Sequence, residues 1–313
     1  MERKFQHVIP NCYLKAWCDP RTPDGQCPFI WRISKDGQRR VKRAPGKSFR
    51  ANDRYTIKIP GEPRNLIAED VLGRIENDYV GVIERLKQEK VLDIRDRACL
   101  CAFAAVMHSR TTAMSDHWRS IWETIGNQAA ALEKQHNSEP RTSVYASRFA
   151  ENAAVAAVSG ALQVALPMLI RMQMTVLFTD DEIGFITSDT PCVLFDPTSY
   201  RRAPGLRSPG LADRNVELTL PLTPRHLLVI FHHRAPFYQR ATPEILEGVN
   251  RKTRFDCAKE FISWNGEIKD SWFSPSVLPE DAWENTKEGK EGLARRERFR
   301  AYADVREDES RRA

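Results

Sequence analysis

Five polar residues, far apart in the chain, have side chains suited to the cleavage of a phosphodiester bond: His7, Glu69, Arg110, Asp189 and Asn250. His7, with an ordinary pKa of about 6.5, can transfer a proton. Arg110 can neutralise charge that develops in the transition state. Asp189 and Glu69 can bind Mg²⁺ or Mn²⁺, or activate water. Asn250 can orient a substrate or a neighbouring loop.

The same residues have plain structural roles as alternatives. A single His can bond a backbone carbonyl and fix its segment. Glu69 and Glu76 are seven positions apart, so they share one helix face at the edge of an apolar stripe. A carboxylate at a core edge needs a partner, which can be an Arg such as Arg110 or a metal shared with Asp189. Asp189 also lies in a Thr-Ser-Asp-Thr-Pro segment of the kind that builds turns.

A second catalytic pattern involves Arg110 and His117, which have six residues between them. This spacing resembles the Arg-x4-6-His motif of HEPN ribonucleases, which act without a metal. The resemblance implies a metal-independent ribonuclease as a further alternative. Such a short motif arises by chance in a chain with many Arg residues.

A basic segment near the N-terminus is the strongest electrostatic feature. Residues 1–60 hold fourteen Lys and Arg against five Asp and Glu, a net charge of +9, whereas the whole chain has +6. The segment is expected to bind RNA or DNA phosphates, and nearby Trp31 and Tyr55 to stack on unpaired bases. The alternative is a solvated hairpin, or one that docks an acidic partner. Its candidate contacts are Arg39, Arg40, Lys42, Arg43, Lys47, Arg50 and Arg54.

Composition excludes several classes of protein. With 313 residues, 41% hydrophobic and 29% charged, the chain is not mainly disordered. No secretory signal is visible, and seven Cys without a CxxC pair indicate free thiols in a reducing cytoplasm. The uncharged stretch from Ala153 to Ile170 is expected to be a buried helix, so no membrane partner is predicted. Without glycine-rich or Walker motifs, no nucleotide cofactor is expected.

Helices and strands must position these residues, and the sequence predicts them in separate runs. This segregation indicates an α+β fold. Asp36-Gly37 marks the turn of a basic β-hairpin. The predicted helical region, residues 65–172, is followed by a mainly antiparallel sheet and a helix within residues 174–265. The predicted strands are Pro28–Ile33, Arg39–Lys42, Arg54–Ile59, Met174–Phe178, Gly184–Ser188, Cys192–Phe195, Glu217–Leu222 and His226–Phe231. The predicted helices begin near Asn65 and cover Asp93–His117, Trp118–Lys134, Ser143–Met172 and Pro243–Phe261.

Four local patterns together resemble one family. They are the stretch from His7 to Leu14, Arg110-Thr111, the stretch from Phe185 to Pro191, and Asn250 ahead of Ala258 and Ser263. In this order they resemble the domain-of-unknown-function family numbered 4238, over roughly residues 5 to 265. The family usually has Arg-Thr-Pro where this chain has Thr112 in the third place. The resemblance implies one fold and no activity.

These observations predict a single domain over residues 1–265 and a C-terminal extension, 266–313, with a charged helical tail. The leading hypothesis is an intracellular nucleic-acid-processing protein, a nuclease or phosphodiesterase used in defence against phage or plasmids. The alternative is a non-enzymatic module that binds nucleic acid or protein, in which the same polar residues form a buried network. The oligomeric state is left open.

Overall fold

The computed structural model describes residues 4–59, 61–88, 90–199, 202, 208–274 and 290–291. Helices and strands follow one another in separate runs along the chain. The strand pairs are antiparallel with one exception among those whose register is defined. The predicted α+β class is therefore confirmed.

Short strands and one short helix make up the N-terminal part. In chain order they are β1 (Phe5–His7), α1 (Asn11–Leu14), β2 (Ile30–Ser34), β3 (Arg40–Arg43) and β4 (Arg50–Asn52). β2 and β3 pair antiparallel around the turn at Gly37, whose φ of 78° suits glycine. β1 pairs with β4 and places His7 opposite Arg50.

The strand predicted over Arg54–Ile59 is wrong. β4 ends at Asn52, and Asp53 turns the chain with a φ of 48°. Beyond it, Ile57 forms only an isolated bridge with Asn65. The apolar residues that suggested a strand include Tyr55, which is fully buried because it packs against the helices. Its burial does not depend on strand pairing.

The helical region contains six α-helices among the described residues. Two of the long helices predicted from the sequence are interrupted. The helix predicted over Asp93–His117 breaks at Arg110 because Thr111 caps a new helix, accepting from Met114 N at 3.2 Å. The helix predicted over Ser143–Met172 is broken at Asn152 and by a π-helical stretch at Ala161–Ala165. The observed helices are α2 (Ile67–Lys87), α3 (Ile94–Ser109), α4 (Thr112–Gln135), α5 (Thr142–Glu151), α6 (Ala153–Gly160) and α7 (Leu166–Arg171).

Strands dominate the part of the chain that follows. The helix predicted over Pro243–Phe261 ends five residues early, at Asp256, and a strand follows it. The strand predicted over Gly184–Ser188 is reduced to its last two residues. The observed elements are β5 (Gln173–Phe178), β6 (Thr187–Ser188), β7 (Val193–Phe195), β8 (Glu217–Thr223), β9 (His226–Phe231), β10 (Tyr238–Arg240), α8 (Pro243–Asp256) and β11 (Glu260–Ser263).

Three sheets result, with strand orders β1-β4, β3-β2-β11-β6 and β10-β5-β9-β8-β7. In the four-stranded sheet the N-terminal hairpin pairs with β11, from the other end of the family-like region: Ile33 lies opposite Phe261 and Trp31 opposite Ser263. This pairing leaves β3 as an edge strand, so the basic residues of the hairpin flank an unpaired edge.

The core joins the N-terminal segment to the helices. Tyr13 and Trp17 are fully buried, with ring centroids 4.7 Å apart. Tyr79 of α2 stacks on Phe103 of α3 at 3.6 Å, and Tyr13 lies 6.0 Å from the same Phe103 ring. The short helix α1 is therefore a core element, which holds the segment beginning at His7 against the helical region.

One helical stretch among the described residues, Ala153–Arg171, is long and apolar enough to cross a membrane by length and composition alone. Its most apolar window has a mean hydropathy of 1.9, and 28% of that window is buried inside the protein. The expectation of a buried helix is therefore wrong for most of this stretch. One such helix is weak evidence for a membrane span, and the expectation of no membrane partner stays a prediction.

The contacts divide the chain into two compact units. The first comprises residues 1–193 and 218–273, and the second comprises 194–217 and 274–313. In the second, Arg202 pairs with Asp196 and, at 2.9 Å, with Asp213. The domain boundary predicted at residue 265 stays a prediction, and the predicted helical tail lies outside the described residues except for 290–291.

Candidate functional site

Arg110 is the centre of a buried polar cluster. It caps the end of α3, and only 2% of its side chain is exposed. Its Nη1 donates to Glu76 Oε1 at 2.6 Å, its Nη2 donates to the His7 carbonyl oxygen, and its Nε donates to the Tyr55 hydroxyl at 3.3 Å. All three nitrogens thus have partners within the protein. The guanidinium holds the fold together. It has almost no exposed surface with which to neutralise charge on a substrate, the role predicted for it.

The Arg110 pair answers one question that the sequence left open. Arg110 takes Glu76, on α2, as its carboxylate. Glu69 lies two turns earlier on the same helix and is half-buried. Burial alone lowers the pKa of Arg110, but Tyr55 and Glu76 outweigh that effect and raise it above its ordinary value. The guanidinium is therefore a permanent cation at the core edge.

His7 has its imidazole tied to the backbone. Its Nε2 lies 3.3 Å from the Gly46 carbonyl oxygen. Burial lowers the pKa of His7, and the Gly46 carbonyl and Glu76 offset only part of that effect. A neutral ring that bonds a carbonyl must carry its proton on Nε2, because the carbonyl can only accept. His7 therefore closes the loop at Gly46, which is the structural alternative considered for it.

Asp189 binds the backbone at the start of β11. Its carboxylate accepts from the N–H groups of Ala258 at 2.8 Å, Lys259 at 2.7 Å and Glu260 at 3.1 Å. Its own N–H donates to the Glu260 carbonyl at 3.0 Å. Both carboxylate oxygens accept from backbone donors, which is the turn-building alternative considered for Asp189, and the predicted binding of a metal or activation of water stays a prediction.

The predicted metal site shared by Asp189 and Glu69 is not supported by a cluster of metal-binding side chains in the described residues. Among the described residues, no group of three or more His, Cys, Asp or Glu side chains could hold a metal ion. Asp189 contacts the β11 backbone, whereas Glu69 lies on α2.

Asn250, on α8, holds the chain segment that leads to Asp189. Its Oδ1 accepts from Ile186 N at 3.0 Å, its Nδ2 donates to the Gly184 carbonyl at 2.8 Å, and the residue is 2% exposed. The side-chain amide satisfies one buried donor and one buried acceptor of an irregular segment. Of the two roles predicted for Asn250, the structure shows the contact with a neighbouring loop.

Tyr13 is the polar residue that sequence reasoning did not single out. Its hydroxyl donates to the Pro221 carbonyl at 2.8 Å and lies 2.6 Å from Thr187 Oγ1. Because the phenol has a single proton, Thr187 must be the donor in the second bond. Burial raises the pKa of Tyr13 well above its ordinary value, so the phenol stays protonated. The available signal was its place in the N-terminal pattern, between His7 and Leu14.

The basic segment divides into two groups of residues. Arg54 belongs to the fold: its Nη2 donates to the carbonyls of Arg110 at 3.2 Å and Thr111 at 3.0 Å, and to Ser115 Oγ at 2.7 Å. Because these contacts hold the Arg54 side chain against α3 and α4, its predicted role as a nucleic-acid contact stays a prediction without support from this geometry. The others are exposed, and none forms an ion pair with a carboxylate in the described part of the chain: Arg39, Arg40, Lys42, Arg43, Lys47 and Arg50.

The aromatic residues beside this segment are not free to stack on bases. Tyr55 has no exposed surface. Trp31 is half-buried and donates from Nε1 to Asp19 Oδ2 at 2.7 Å, and Lys42 Nζ lies 4.8 Å from its ring centroid. The predicted stacking by Tyr55 is thus wrong. The Trp31 ring is covered by the Lys42 ammonium group, so positive charge is the main feature of the surface formed by the basic segment.

Arg110 and His117 do not form the arrangement of the ribonuclease motif. Arg110 is buried at the end of α3, whereas His117 is exposed on α4. The break between the two helices at Thr111 separates the side chains. Within the described part of the chain, the hydrogen bonds and ion pairs of Arg110 go to Tyr55, Glu76 and His7.

With this geometry established, comparison with known families gives one match: a family described as a protein of unknown function (DUF4238) matches residues 6–266. The chain belongs to this family. No curated protein and no solved structure matches the chain.

The residues that carried the family resemblance occupy linked positions in the fold. The N-terminal pattern meets Arg110 through the His7 carbonyl, and it meets the Phe185–Pro191 pattern through Tyr13 and Thr187. The Phe185–Pro191 pattern is joined to the C-terminal pattern by two side chains. Asn250 accepts from the Ile186 N–H, and Asp189 accepts from the Ala258 N–H. These contacts give the DUF4238 patterns a structural role as the joints between helices and sheets.

Proposed function

We propose that this DUF4238 protein is a nucleic-acid-binding protein that contacts the phosphate backbone through residues 39–50. One observation carries the proposal: six Lys and Arg side chains within twelve positions are exposed and form no ion pair with a described carboxylate. Cations that the fold does not neutralise release counterions when they meet phosphates, which drives binding to any nucleic acid.

The hairpin holds several of these cations in defined positions. Arg40 Nη1 donates to the Gly266 carbonyl at 3.0 Å, and Lys42 Nζ lies 4.6 Å from the Phe29 ring centroid. Neither partner is an anion, so each side chain is oriented without losing its charge. Because β3 is an edge strand, Arg43 and the turn residue Arg39 are also accessible.

The expected mode of binding is insensitive to base sequence. Tyr55 is buried and Trp31 is covered, so neither of the two aromatic residues expected to stack is open to unpaired bases. Backbone contacts position a protein on a nucleic acid but carry little sequence information. The proposal therefore assigns binding to both RNA and DNA, with similar affinity for unrelated sequences of equal length.

Binding is tested by fluorescence anisotropy with a labelled 20-nucleotide RNA, over a series of salt concentrations. Neutralising Arg39, Arg43 and Lys47 to Ser removes three cations whose side chains make no described contact. For a single strand, three lost phosphate contacts should reduce the slope of log K against log salt by about 2.

A matched control carries the same loss of charge elsewhere. Arg74, Lys134 and Arg148 are exposed on α2, α4 and α5, and their triple Ser variant should bind RNA like the unmodified protein. Equal weakening in both variants, or no binding at low salt, would contradict the proposal.

The nuclease hypothesis is tested on the same preparations. RNA and DNA are incubated with the protein with and without Mg²⁺ or Mn²⁺, and products are resolved on gels. Binding without cleavage is the expected outcome, because His7, Asp189 and Asn250 bond backbone groups and Arg110 is buried. Cleavage that Asp189→Asn abolishes at unchanged folding stability would establish the enzyme instead, and metal-independent cleavage that His117→Ala abolishes would indicate the HEPN-like alternative.

A further inference from the structure

A cavity of about 610 Å³ opens where the end of α2 meets the ends of β5, β9 and β10. Its volume lies within the usual range for sites that bind small molecules. Polar groups come from Lys87, Thr179, Asp180, Arg225 and His226, and apolar surface comes from Leu86, Phe178 and Tyr238. None of these residues belongs to the basic segment or to the polar cluster around Arg110.

The charges at the cavity favour an anion. Asp180 forms an exposed pair with Arg240, so the lining holds one carboxylate against the two cations Lys87 and Arg225. Lys87 forms an exposed pair with Glu84 at 3.0 Å, which solvent weakens. Arg225 donates to the Asp181 carbonyl and lies 4.9 Å from the Trp264 ring centroid, and it forms no ion pair with a carboxylate in the described part of the chain. The Arg225 charge is thus held in place without an anionic partner.

His226 provides a neutral donor beside these cations. Burial, together with Lys87 and Arg225, lowers the pKa of His226 to about 4, so the ring is uncharged at neutral pH. Its Nδ1 lies 2.9 Å from Thr223 Oγ1, which accepts from the Arg225 N–H at 3.0 Å. The Thr223 hydroxyl has one proton of its own and can donate it to Nδ1, which leaves the proton of the neutral imidazole on Nε2, in the tautomer that can donate to a ligand.

The walls of the cavity provide surface for a ring. Phe178 and Tyr238 are half-buried and line it together with the buried Leu86. Aromatic side chains offer flat apolar surface against which a planar ligand packs. A ligand with one anionic end and one planar end matches both halves of the lining.

We propose that this cavity binds a small phosphate-bearing molecule with an aromatic ring, such as a nucleoside monophosphate. Lys87, Arg225 and His226 hold the phosphate, and the ring packs against Phe178 and Tyr238. This ligand site is separate from the proposed nucleic-acid surface.

Isothermal titration calorimetry tests the site with adenosine monophosphate, adenosine, inorganic phosphate and benzoate. The monophosphate should bind, and adenosine should bind at least about tenfold more weakly, because it lacks the charge-assisted hydrogen bonds. Inorganic phosphate should also bind more weakly than the monophosphate, because it lacks the ring. No binding of the monophosphate at millimolar concentration would overturn the proposal, and benzoate binding as tightly as the monophosphate would overturn the choice of phosphate.

Variants locate the binding event. Lys87→Met should weaken monophosphate binding about tenfold, whereas Lys134→Met on α4 should leave it unchanged. Both residues are exposed, so equal thermal midpoints are expected and confirm that folding is intact. The triple Ser variant of Arg39, Arg43 and Lys47 should bind the monophosphate like the unmodified protein. Loss of binding in that variant, or its full retention in Lys87→Met, would place the ligand elsewhere.

Discussion

Arg110 carries a full charge at a position where its side chain is almost inaccessible to water. Its three nitrogens satisfy a carboxylate, a hydroxyl and a backbone carbonyl that lie on three different segments of the chain. A buried charge is tolerated only when such partners replace its hydration. Single side chains of this kind hold the fold together, and their removal should be measurable as a loss of stability.

Substitution of Arg110 by Met should lower the free energy of unfolding by about 3 kcal/mol, because it leaves Glu76 and the His7 carbonyl without their donor. Glu76→Gln should cost less, about 1 kcal/mol, because an amide oxygen still accepts from Arg110. Urea titrations measure both changes.

The double variant Arg110→Met with Glu76→Leu provides the control for this pair. It should be more stable than Arg110→Met alone, because no half-buried carboxylate is left without a partner. A loss below about 1 kcal/mol for Arg110→Met would show that the cluster is not needed for stability.

Stability should fall in acid partly through His226. Its pKa is about 4 in the folded protein and about 6.5 in an unfolded chain. Between these values the unfolded chain binds the proton more readily, so this contribution is full above pH 6.5 and is lost as the pH falls towards 4. One proton changes stability by at most about 1.4 kcal/mol per pH unit, and solvent screening of the partly exposed ring reduces that figure.

The comparison of the unmodified protein with His226→Gln isolates this effect. His7 and His108 also have pKa values lowered by burial and contribute in the same direction in both proteins. In urea unfolding at pH 7, 6, 5 and 4, the variant should lose less stability than the unmodified protein. Parallel pH profiles would show that His226 titrates normally in the folded state.

At the scale of elements, the approach to β6 depends on close contact between two turns. Gly184 has a φ of 66°, and a Cβ built on it would lie 2.1 Å from the Pro224 carbonyl oxygen. The Phe185 N–H donates to that same carbonyl at 2.8 Å. Only glycine permits both this conformation and this approach.

Gly184→Ala should therefore destabilise the protein by about 3 kcal/mol or more, because the turn between β8 and β9 must move. Gly73→Ala is the matched control, since a Cβ at that position in α2 meets no atom within 4 Å. It should stabilise the protein by about 0.5 to 1 kcal/mol through helix propensity. Thermal and urea unfolding measure both changes, and a mild effect at Gly184 would contradict the proposed contact.

Local signals in the sequence explain which elements were predictable. The β2–β3 hairpin follows from Asp36-Gly37 and the flanking apolar and basic residues, all within a few positions. By contrast, β11 depends on Asp189, whose carboxylate binds its backbone from about seventy positions away. The candidate residues His7, Asp189 and Asn250 were identified as important, but their partners are backbone groups, which residue types alone do not reveal.

On the scale of the whole molecule, charge is distributed unevenly. Residues 1–60 carry a net charge of +9, so the other 253 residues sum to −3. Because screening limits the reach of exposed charges to about 8 Å at physiological ionic strength, where a cation lies matters more than the total. The basic segment is therefore expected to dominate contacts with polyanions.

Chromatography on heparin tests this placement of charge. The triple Ser variant of Arg39, Arg43 and Lys47 and that of Arg74, Lys134 and Arg148 both have a net charge of +3, compared with +6 for the unmodified protein. The first should elute at clearly lower salt, and the second close to the unmodified protein. Elution at the same salt would mean that net charge alone governs binding.

The bridge from Tyr13 to the sheet also has a consequence for how the protein is made. Tyr13 bonds Thr187 and Pro221, partners 174 and 208 positions later in the chain. At synthesis rates of about 5–20 residues per second, roughly 10 to 40 s pass between the appearance of Tyr13 and of its last partner. During that interval Tyr13 and Trp17, both fully buried in the finished protein, have no sheet to cover them. The N-terminal segment of the nascent chain therefore exposes two large aromatic side chains until the second half has been translated.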